Sequence, residues 1–259
     1  MLMSIIEALT LGLIQGLTEF IPVSSSGHLL LAHEIFGKSG SSLAFDVALH
    51  IGTLLALLVF FRSDLAKLVL NLAKPSAQGR LARLLILATI PAAAAGLLFN
   101  DYIDNNLRTP LVTAVMLAVV GLLMLVADNA FLRKKQKEIS TAQGLSVGLA
   151  QVFALIPGVS RSGVTMTAGL FAGLSRVQAA RFSFLLAIPI VAGSAFGLLV
   201  KDIDGSSTEV VPLIVGVAAA FVSGLAAIKF LLGVIAKAGL KPFAIYRLVL
   251  AVLVIVFLV

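Results

Sequence analysis

Six long, nearly uncharged apolar runs decide what this chain can fold into: residues 44–61, 84–99, 110–127, 182–200, 210–228 and 242–259. Hydrocarbon offers no partner to a backbone N–H or C=O, so a crossing segment must be a helix or part of a closed barrel. The runs are continuous rather than alternating, which is the pattern of helices, and a helix needs about 20 residues to cross. Charged residues make up 12% of the chain and hydrophobic ones 60%. A soluble domain carries about 25% charged residues. An ordinary soluble enzyme and a disordered regulator are thereby excluded. Cysteine is absent, which removes disulfides, a thiol nucleophile and thiolate metal sites. The opening MLMSIIEALT has neither a basic segment nor a small-residue cleavage pattern, so the first helix is expected to stay in place.

Two further apolar stretches do not read as simple spans. Residues 5–36 are broken by Pro22, Ser24-Ser25-Ser26-Gly27 and His28; residues 141–173 are broken by Pro157-Gly158, Ser160, Arg161 and Ser162. Such breaks are tolerated at membrane depth only inside protein or beside a water-filled cavity. The two stretches are also related. At an offset of 136, Gly12, Leu13, Gln15, Val23, Ser24, Ser26 and Gly27 match Gly148, Leu149, Gln151, Val159, Ser160, Ser162 and Gly163, seven identities in sixteen positions. The paired glutamines and the S-x-S-G are more than apolar bias supplies.

Charge sets the orientation. Arg62, Lys67, Lys74, Arg80 and Arg83 lie in one loop, Arg133, Lys134, Lys135 and Lys137 in a second, and Lys229, Lys237, Lys241 and Arg247 in a third. The net charge of +7 is therefore read as membrane topology, not as a nucleic-acid footprint, and these three segments are placed in the cytoplasm. Loops 100–109 and 201–209, with Asp101, Asp104, Asp202, Asp204 and Glu209, face out. Three spans per half is an odd number, so the second half must be inverted. The expected fold is an all-α polytopic membrane protein. It is one domain, 1–259, made of an inverted-topology repeat (1–128 and 141–259), with six transmembrane helices and two re-entrant helix hairpins whose tips meet near the midplane.

Ionisable groups inside a bilayer are functional by default. Glu19, His28, Asp46, His50 and Arg161 are the candidates in or beside apolar runs. Gln15 and Glu19 share one helix face and offer oxygen to a hard cation such as Mg²⁺ or Ca²⁺, or else to each other in a hydrogen bond. Ser24, Ser25, Ser26 and Gly27 open one helix after its break; Ser160, Ser162, Gly163 and Thr165, with the guanidinium of Arg161, open another. Helix N-termini with hydroxyls bind phosphate, and arginine grips phosphate oxygens in pairs. Ser25 is a candidate nucleophile with His28 or Glu19 as its base; His28 is itself a candidate nucleophile.

In these residues the chain resembles the undecaprenyl-diphosphate phosphatase family, the integral membrane type linked to bacitracin resistance. The matching pieces are Gln15-x-x-x-Glu19-Phe20, Pro22 to His28, Pro157 to Gly163, Phe45 to Thr53 and Arg181 to Pro189. The resemblance implies removal of the terminal phosphate from a polyprenyl diphosphate, which regenerates the monophosphate carrier for wall polymers. It implies a bacterial inner membrane; the charge count, by which the first hairpin enters from outside, has the site opening outward. The resemblance also implies a divalent metal at Gln15 and Glu19 and catalytic roles for Glu19, Ser25, His28 and Arg161. Gln15 stands where many members have Glu, and an amide is no base. The expected partners are the polyprenyl diphosphate and the bilayer, with no nucleic acid; a homodimer is compatible with the sequence. Two other readings compete. Lipid phosphatases related to phosphatidic acid phosphatase type 2 also use Ser-Gly-His and Ser-Arg, but they need a further His, and residues 162–172 contain none. A flippase or transporter of a phosphorylated polyprenyl lipid fits the repeat but leaves the Ser/His/Glu set without a task.

Overall fold

The computed structural model describes residues 3–36, 43–130, 138–201 and 210–259. Among these residues every regular element is helical. Helices α1 (Ile5–Phe20) and α2 (Ser25–Ile35) flank the first break; α3 (Leu43–Phe60), α4 (Arg62–Asn71), α5 (Ala77–Asn106) and α6 (Pro110–Ala130) follow. Then come α7 (Thr141–Ala150), a 3₁₀ turn (Gln151–Leu155), the second break, and α8 (Arg161–Phe171), α9 (Arg176–Lys201), α10 (Val210–Ala238) and α11 (Lys241–Leu258). Five helices (α5, α6, α9, α10 and α11) are long and apolar enough to cross a membrane, and α3 with α4, bent by 76°, makes a sixth if taken as one span. Large apolar side chains such as Leu97, Leu122, Val222 and Phe257 are exposed on the bundle surface, where lipid rather than water solvates them. The chain is a multi-pass membrane protein.

Four helices, α5, α6, α9 and α10, overrun the expected spans. α5 has 30 residues and α10 has 29. At 1.5 Å per residue each is about 45 Å long, against a hydrocarbon core of about 30 Å. The surplus carries charge: Arg80 and Arg83 begin α5, and Lys229 and Lys237 ride the last turns of α10. The stretch 62–83, expected as a loop, holds α4, and α5 continues through Pro91. Ion pairs tie one end of the bundle together: Arg80–Glu138 at 2.7 Å, Arg176–Asp128 at 2.6 Å and Arg181–Asp64 at 2.7 Å. The cations at 133, 134, 135 and 137 and the acids at 202, 204 and 209 lie outside the described residues.

Asp128 shows what that end contributes. Its buried carboxylate accepts from Arg176 Nε and from the backbone N–H groups of Leu240 and Lys241 (3.0 and 3.2 Å), so it caps the N-terminus of α11. Gly239 makes the turn possible, with φ of +67° and no room for a side chain against that carboxylate. Asp128→Ala strands a guanidinium and two amides and is expected to cost about 3 kcal/mol, the low end for a broken buried pair, because Arg176 is partly exposed. Asp64→Ala breaks only an exposed pair and is expected to cost less than about 1 kcal/mol. Thermal unfolding of both variants in detergent checks the difference.

The broken helices are held by small residues. Gly12 and Gly16 of α1 lie so close to Gly216, Ala220 and Ser223 of α10 that a Cβ would collide. Gly148, the counterpart of Gly12 at offset 136, lies equally close to Ala88 of α5. Close backbone approach through small residues is how membrane helices gain packing without a hydrophobic driving force. Each broken helix thus packs on a long helix from the other half of the chain. Gln143 Nε2, in the first turn of α7, donates to the carbonyl of Ala172 beyond α8 at 3.0 Å. Ala8 and Leu11 of α1 share a core cluster with Leu29 and Ala32 of α2 and with Phe45 and Leu49 of α3.

Candidate active site

The two breaks have the same local structure. Ser24 and Ser160 hold φ of 73° and 69°. A non-glycine residue in that region costs about 1–3 kcal/mol and persists where the surroundings over-determine it. Ser24 Oγ accepts from Gly27 N at 3.4 Å and meets Ser26 Oγ at 3.1 Å. Ser160 Oγ accepts from Gly163 N at 3.2 Å and meets Ser162 Oγ at 3.2 Å. Each serine is the N-cap of the helix that follows. The sixteen-position repeat is therefore a repeat of geometry.

The breaks also touch. Gly158 N donates to Ser26 Oγ at 3.4 Å, and Ser162 Oγ donates to the carbonyl of Glu19 at 3.3 Å. The N-termini of α2 and α8 are thus brought together, and with them first-turn amides that have no intrahelical acceptor and the positive ends of two helix dipoles. Glu19, 8% exposed, stands beside them. Its Oε1 accepts from Arg161 Nη2 at 2.8 Å; its Oε2 accepts from Ser25 Oγ at 2.9 Å and from Gln15 Nε2 at 3.1 Å, with His50 Nε2 at 3.6 Å. Arg161 Nη1 reaches the carbonyl of Ser183 at 3.3 Å, and the Thr165 and Ser183 hydroxyls meet at 2.7 Å. One cluster therefore holds Glu19, Ser25, Arg161, Gln15 and His50, drawn from four helices, α1, α2, α3 and α8.

His28 sits differently from the sequence expectation. It does not bond Ser25 or Glu19. Its Nδ1 lies 2.8 Å from the carbonyl of Ser24, and its Nε2 lies 2.7 Å from Tyr246 Oη, with the two rings stacked. The carbonyl can only accept, so Nδ1 carries the proton, and in neutral His28 the Nε2 lone pair takes the tyrosine hydroxyl. Ser25 therefore has Glu19, not His28, as its hydrogen-bond partner. Asp46 also falls elsewhere: it pairs with His33 at 3.0 Å and joins α2 to α3, while His50, on the same helix, turns to Glu19.

The Gln15–Glu19 hydrogen bond uses the amide nitrogen and leaves Gln15 Oε1 buried without a partner. No group of three or more His, Cys, Asp or Glu able to hold a metal occurs among the described residues. One carboxylate with one free amide oxygen fits a hard cation that draws its other ligands from substrate phosphates and water, as Mg²⁺ commonly does. It does not make an all-protein cage.

A family model described as bacitracin resistance protein BacA matches residues 8–253. The chain belongs to this family. It is similar to the protein named undecaprenyl-diphosphatase from Teredinibacter turnerae, 45% identical over 260 residues that cover 97% of this chain and 98% of that one. The undecaprenyl-diphosphatase of Thermodesulfovibrio yellowstonii is 45% identical over 251 residues (96% and 95% covered), and that of Caldicellulosiruptor bescii 43% over 259 residues (98% and 98%). For this BacA-family chain, sequence reasoning missed three residues. Tyr246 carried no signal, lying in an apolar run. Gln151 appeared only as a repeat identity; it is buried with both amide atoms unpartnered, on the 3₁₀ turn that leads to the second break. Arg247 was counted as a loop cation. It is instead wholly buried inside α11, because backbone carbonyls of α6 and of the second break solvate it.

Proposed function

We propose that this chain hydrolyses undecaprenyl diphosphate at the terminal phosphate, in a bacterial cytoplasmic membrane, and so returns the monophosphate carrier to wall-polymer synthesis. The relatives carry that activity in their names. The observation that carries the reading is the Ser25–Glu19–Arg161 contact set lying where the two helix N-termini meet. A bare anion carrier needs the helix ends and the arginine, but not a serine hydroxyl on a buried carboxylate. Nothing in the comparisons favours the carrier reading.

The chemistry follows from the contacts. The diphosphate offers Arg161 a bidentate partner in place of Glu19. Freed of that ion pair, the carboxylate is the stronger base and takes the Ser25 proton as Oγ attacks the terminal phosphorus. The bridging P–O bond breaks, and undecaprenyl phosphate departs with the electron pair. Water then attacks the phosphoserine; Glu19 returns its proton to Ser25 Oγ, and the water's protons leave with the released phosphate. The amides and hydroxyls at the starts of α2 and α8 stabilise charge on the equatorial oxygens. A divalent cation held by Gln15 and Glu19 would add Lewis-acid charge to the same oxygens. His28 holds the strained Ser24 cap through its Nδ1–H.

The prenyl tail lies among lipid-facing side chains, where its hydrocarbon stays out of water. We read the two broken pairs as re-entrant hairpins of an inverted repeat. The Gln143–Ala172 hydrogen bond and the core shared by α1 and α2 support it, since each pair ends near where it began. The first hairpin starts at the end of the bundle opposite the basic segments, so the site opens outward. The decisive experiment is phosphate release from a polyprenyl diphosphate by the purified chain in detergent. Chelation of divalent metal is expected to lower turnover on the order of 10²-fold, with recovery on adding Mg²⁺ or Ca²⁺. A chain that moves the lipid without releasing phosphate overturns the proposal.

A further inference from the structure

Arg247 is the largest wholly buried side chain of the described residues. Its Nε donates to the carbonyl of Leu117 at 3.2 Å; its Nη2 donates to those of Met116 (3.2 Å), Gly158 (2.8 Å) and Val159 (3.1 Å). Its Nη1 has no partner, and it forms no ion pair among the described residues. Carbonyls satisfy N–H groups but leave the charge itself uncompensated. A lone buried guanidinium at membrane depth is expensive unless an anion completes it.

The unpartnered nitrogen has a defined address. A Cβ built on Gly163 would lie 3.3 Å from Arg247 Nη1 and 3.3 Å from Ser160 Oγ. The free guanidinium N–H therefore lies against the first turn of α8, beside Gly163 and the Ser160 hydroxyl. Arg161 departs from the same turn but is committed to Glu19, beside the attacking Ser25. The guanidinium group facing the α8 cap is that of Arg247.

We propose that Arg247 Nη1 is a second phosphate-binding group of this site, holding the phosphate that stays on the lipid while Arg161 holds the one that is removed. The proposal rests on the diphosphatase reading. It makes the site a two-arginine clamp that selects a diphosphate over a single phosphate, with one guanidinium for each phosphorus. Gly163 has no side chain to stand between Nη1 and an arriving phosphate oxygen.

Two variants and two readouts test this. Arg247→Gln is expected to raise KM for a polyprenyl diphosphate about 10- to 100-fold, the worth of one charge-assisted hydrogen bond, with kcat changed much less. Arg247→Lys recovers part of that KM. Gly163→Ala leaves the carbonyl bonds of Arg247 in place and sets a methyl group 3.3 Å from Nη1 and from Ser160 Oγ, in the way of an arriving phosphate oxygen, so it too raises KM. Independently of turnover, inorganic diphosphate is expected to raise the melting temperature of the wild-type chain in detergent, and to lose that effect in Arg247→Gln and Gly163→Ala. If Arg247 is only a strut for the second break, kcat falls at unchanged KM and diphosphate still stabilises both variants; that result overturns the proposal. Failure of the wild-type chain to release phosphate, with the Arg247-dependent shift by inorganic diphosphate intact, sinks the diphosphatase reading but leaves the anion clamp standing. No shift in the wild-type chain removes the clamp.

Discussion

Glu19→Gln is expected to lower kcat for polyprenyl diphosphate hydrolysis by about 10³-fold, the middle of the range for a positioned base. The substitution keeps the size of the side chain and removes its charge. Three contacts change at once: Ser25 Oγ loses its carboxylate acceptor, Arg161 Nη2 loses its counter-ion, and His50 loses the carboxylate 3.6 Å away. A buried partner removed from a pair costs about 3–5 kcal/mol in stability as well, because the remaining charge is stranded. The two effects separate by experiment. Thermal unfolding reports the stranded arginine, and it is relieved in the double variant Glu19→Gln/Arg161→Met, whereas turnover is not. If the double variant regains activity with its stability, Glu19 is scaffold and another group takes the proton.

The same residue illustrates how much of the site lay open in the sequence. Gln15 and Glu19 are four apart, and helical periodicity alone puts them on one face. Their hydrogen bond, one of the two uses foreseen, is formed. Ser24 to Gly27 and Ser160 to Gly163 were legible as two breaks because polar residues inside apolar runs are costly and the offset of 136 repeated them. What the breaks do to each other was not. The 2.8 Å contact between Glu19 and Arg161 joins residues 142 positions apart, and it depends on tertiary packing such as that of Gly12 and Gly16 on α10 and of Gly148 on α5. Arg247 was misread for a related reason. A cation near a run of lysines scores as a loop charge, and nothing local says that four carbonyls from α6 and the second break wait to solvate it. His28 was placed correctly at the start of α2, but its partner Tyr246 is 218 residues away, so sequence proximity to Ser25 suggested a pair that does not form. Four spans came out too short, since hydropathy marks the part of a helix that must be in lipid and is blind to the charged turns beyond it; the run 44–61 counts as a span only together with the bent α4.

Ser25→Ala is expected to reduce turnover by about 10³–10⁴-fold, leaving what positioning and electrostatics alone provide. The fold is expected to survive, because Ser25 is the first residue of α2 and the cap is Ser24, whose Oγ on Gly27 N is untouched. The nature of the intermediate then decides between serine and histidine as nucleophile. Rapid acid quench of the wild-type chain with terminally labelled substrate is expected to leave acid-stable label on Ser25, since a phosphoserine survives acid and a phosphohistidine does not. His28→Ala is expected to keep that label while turning over more slowly. Without the Nδ1–H bond to the Ser24 carbonyl, the positive φ at Ser24 relaxes and the amides at the start of α2 lose their aim. The contact geometry gives the direction. Ser25 Oγ is already on a carboxylate, whereas His28 would have to give up Tyr246 before its Nε2 could attack. Acid-labile, base-stable label that disappears in His28→Ala and persists in Ser25→Ala reverses the assignment, makes Ser25 a phosphate ligand, and turns the Tyr246 hydroxyl into the group that must move for the reaction to begin.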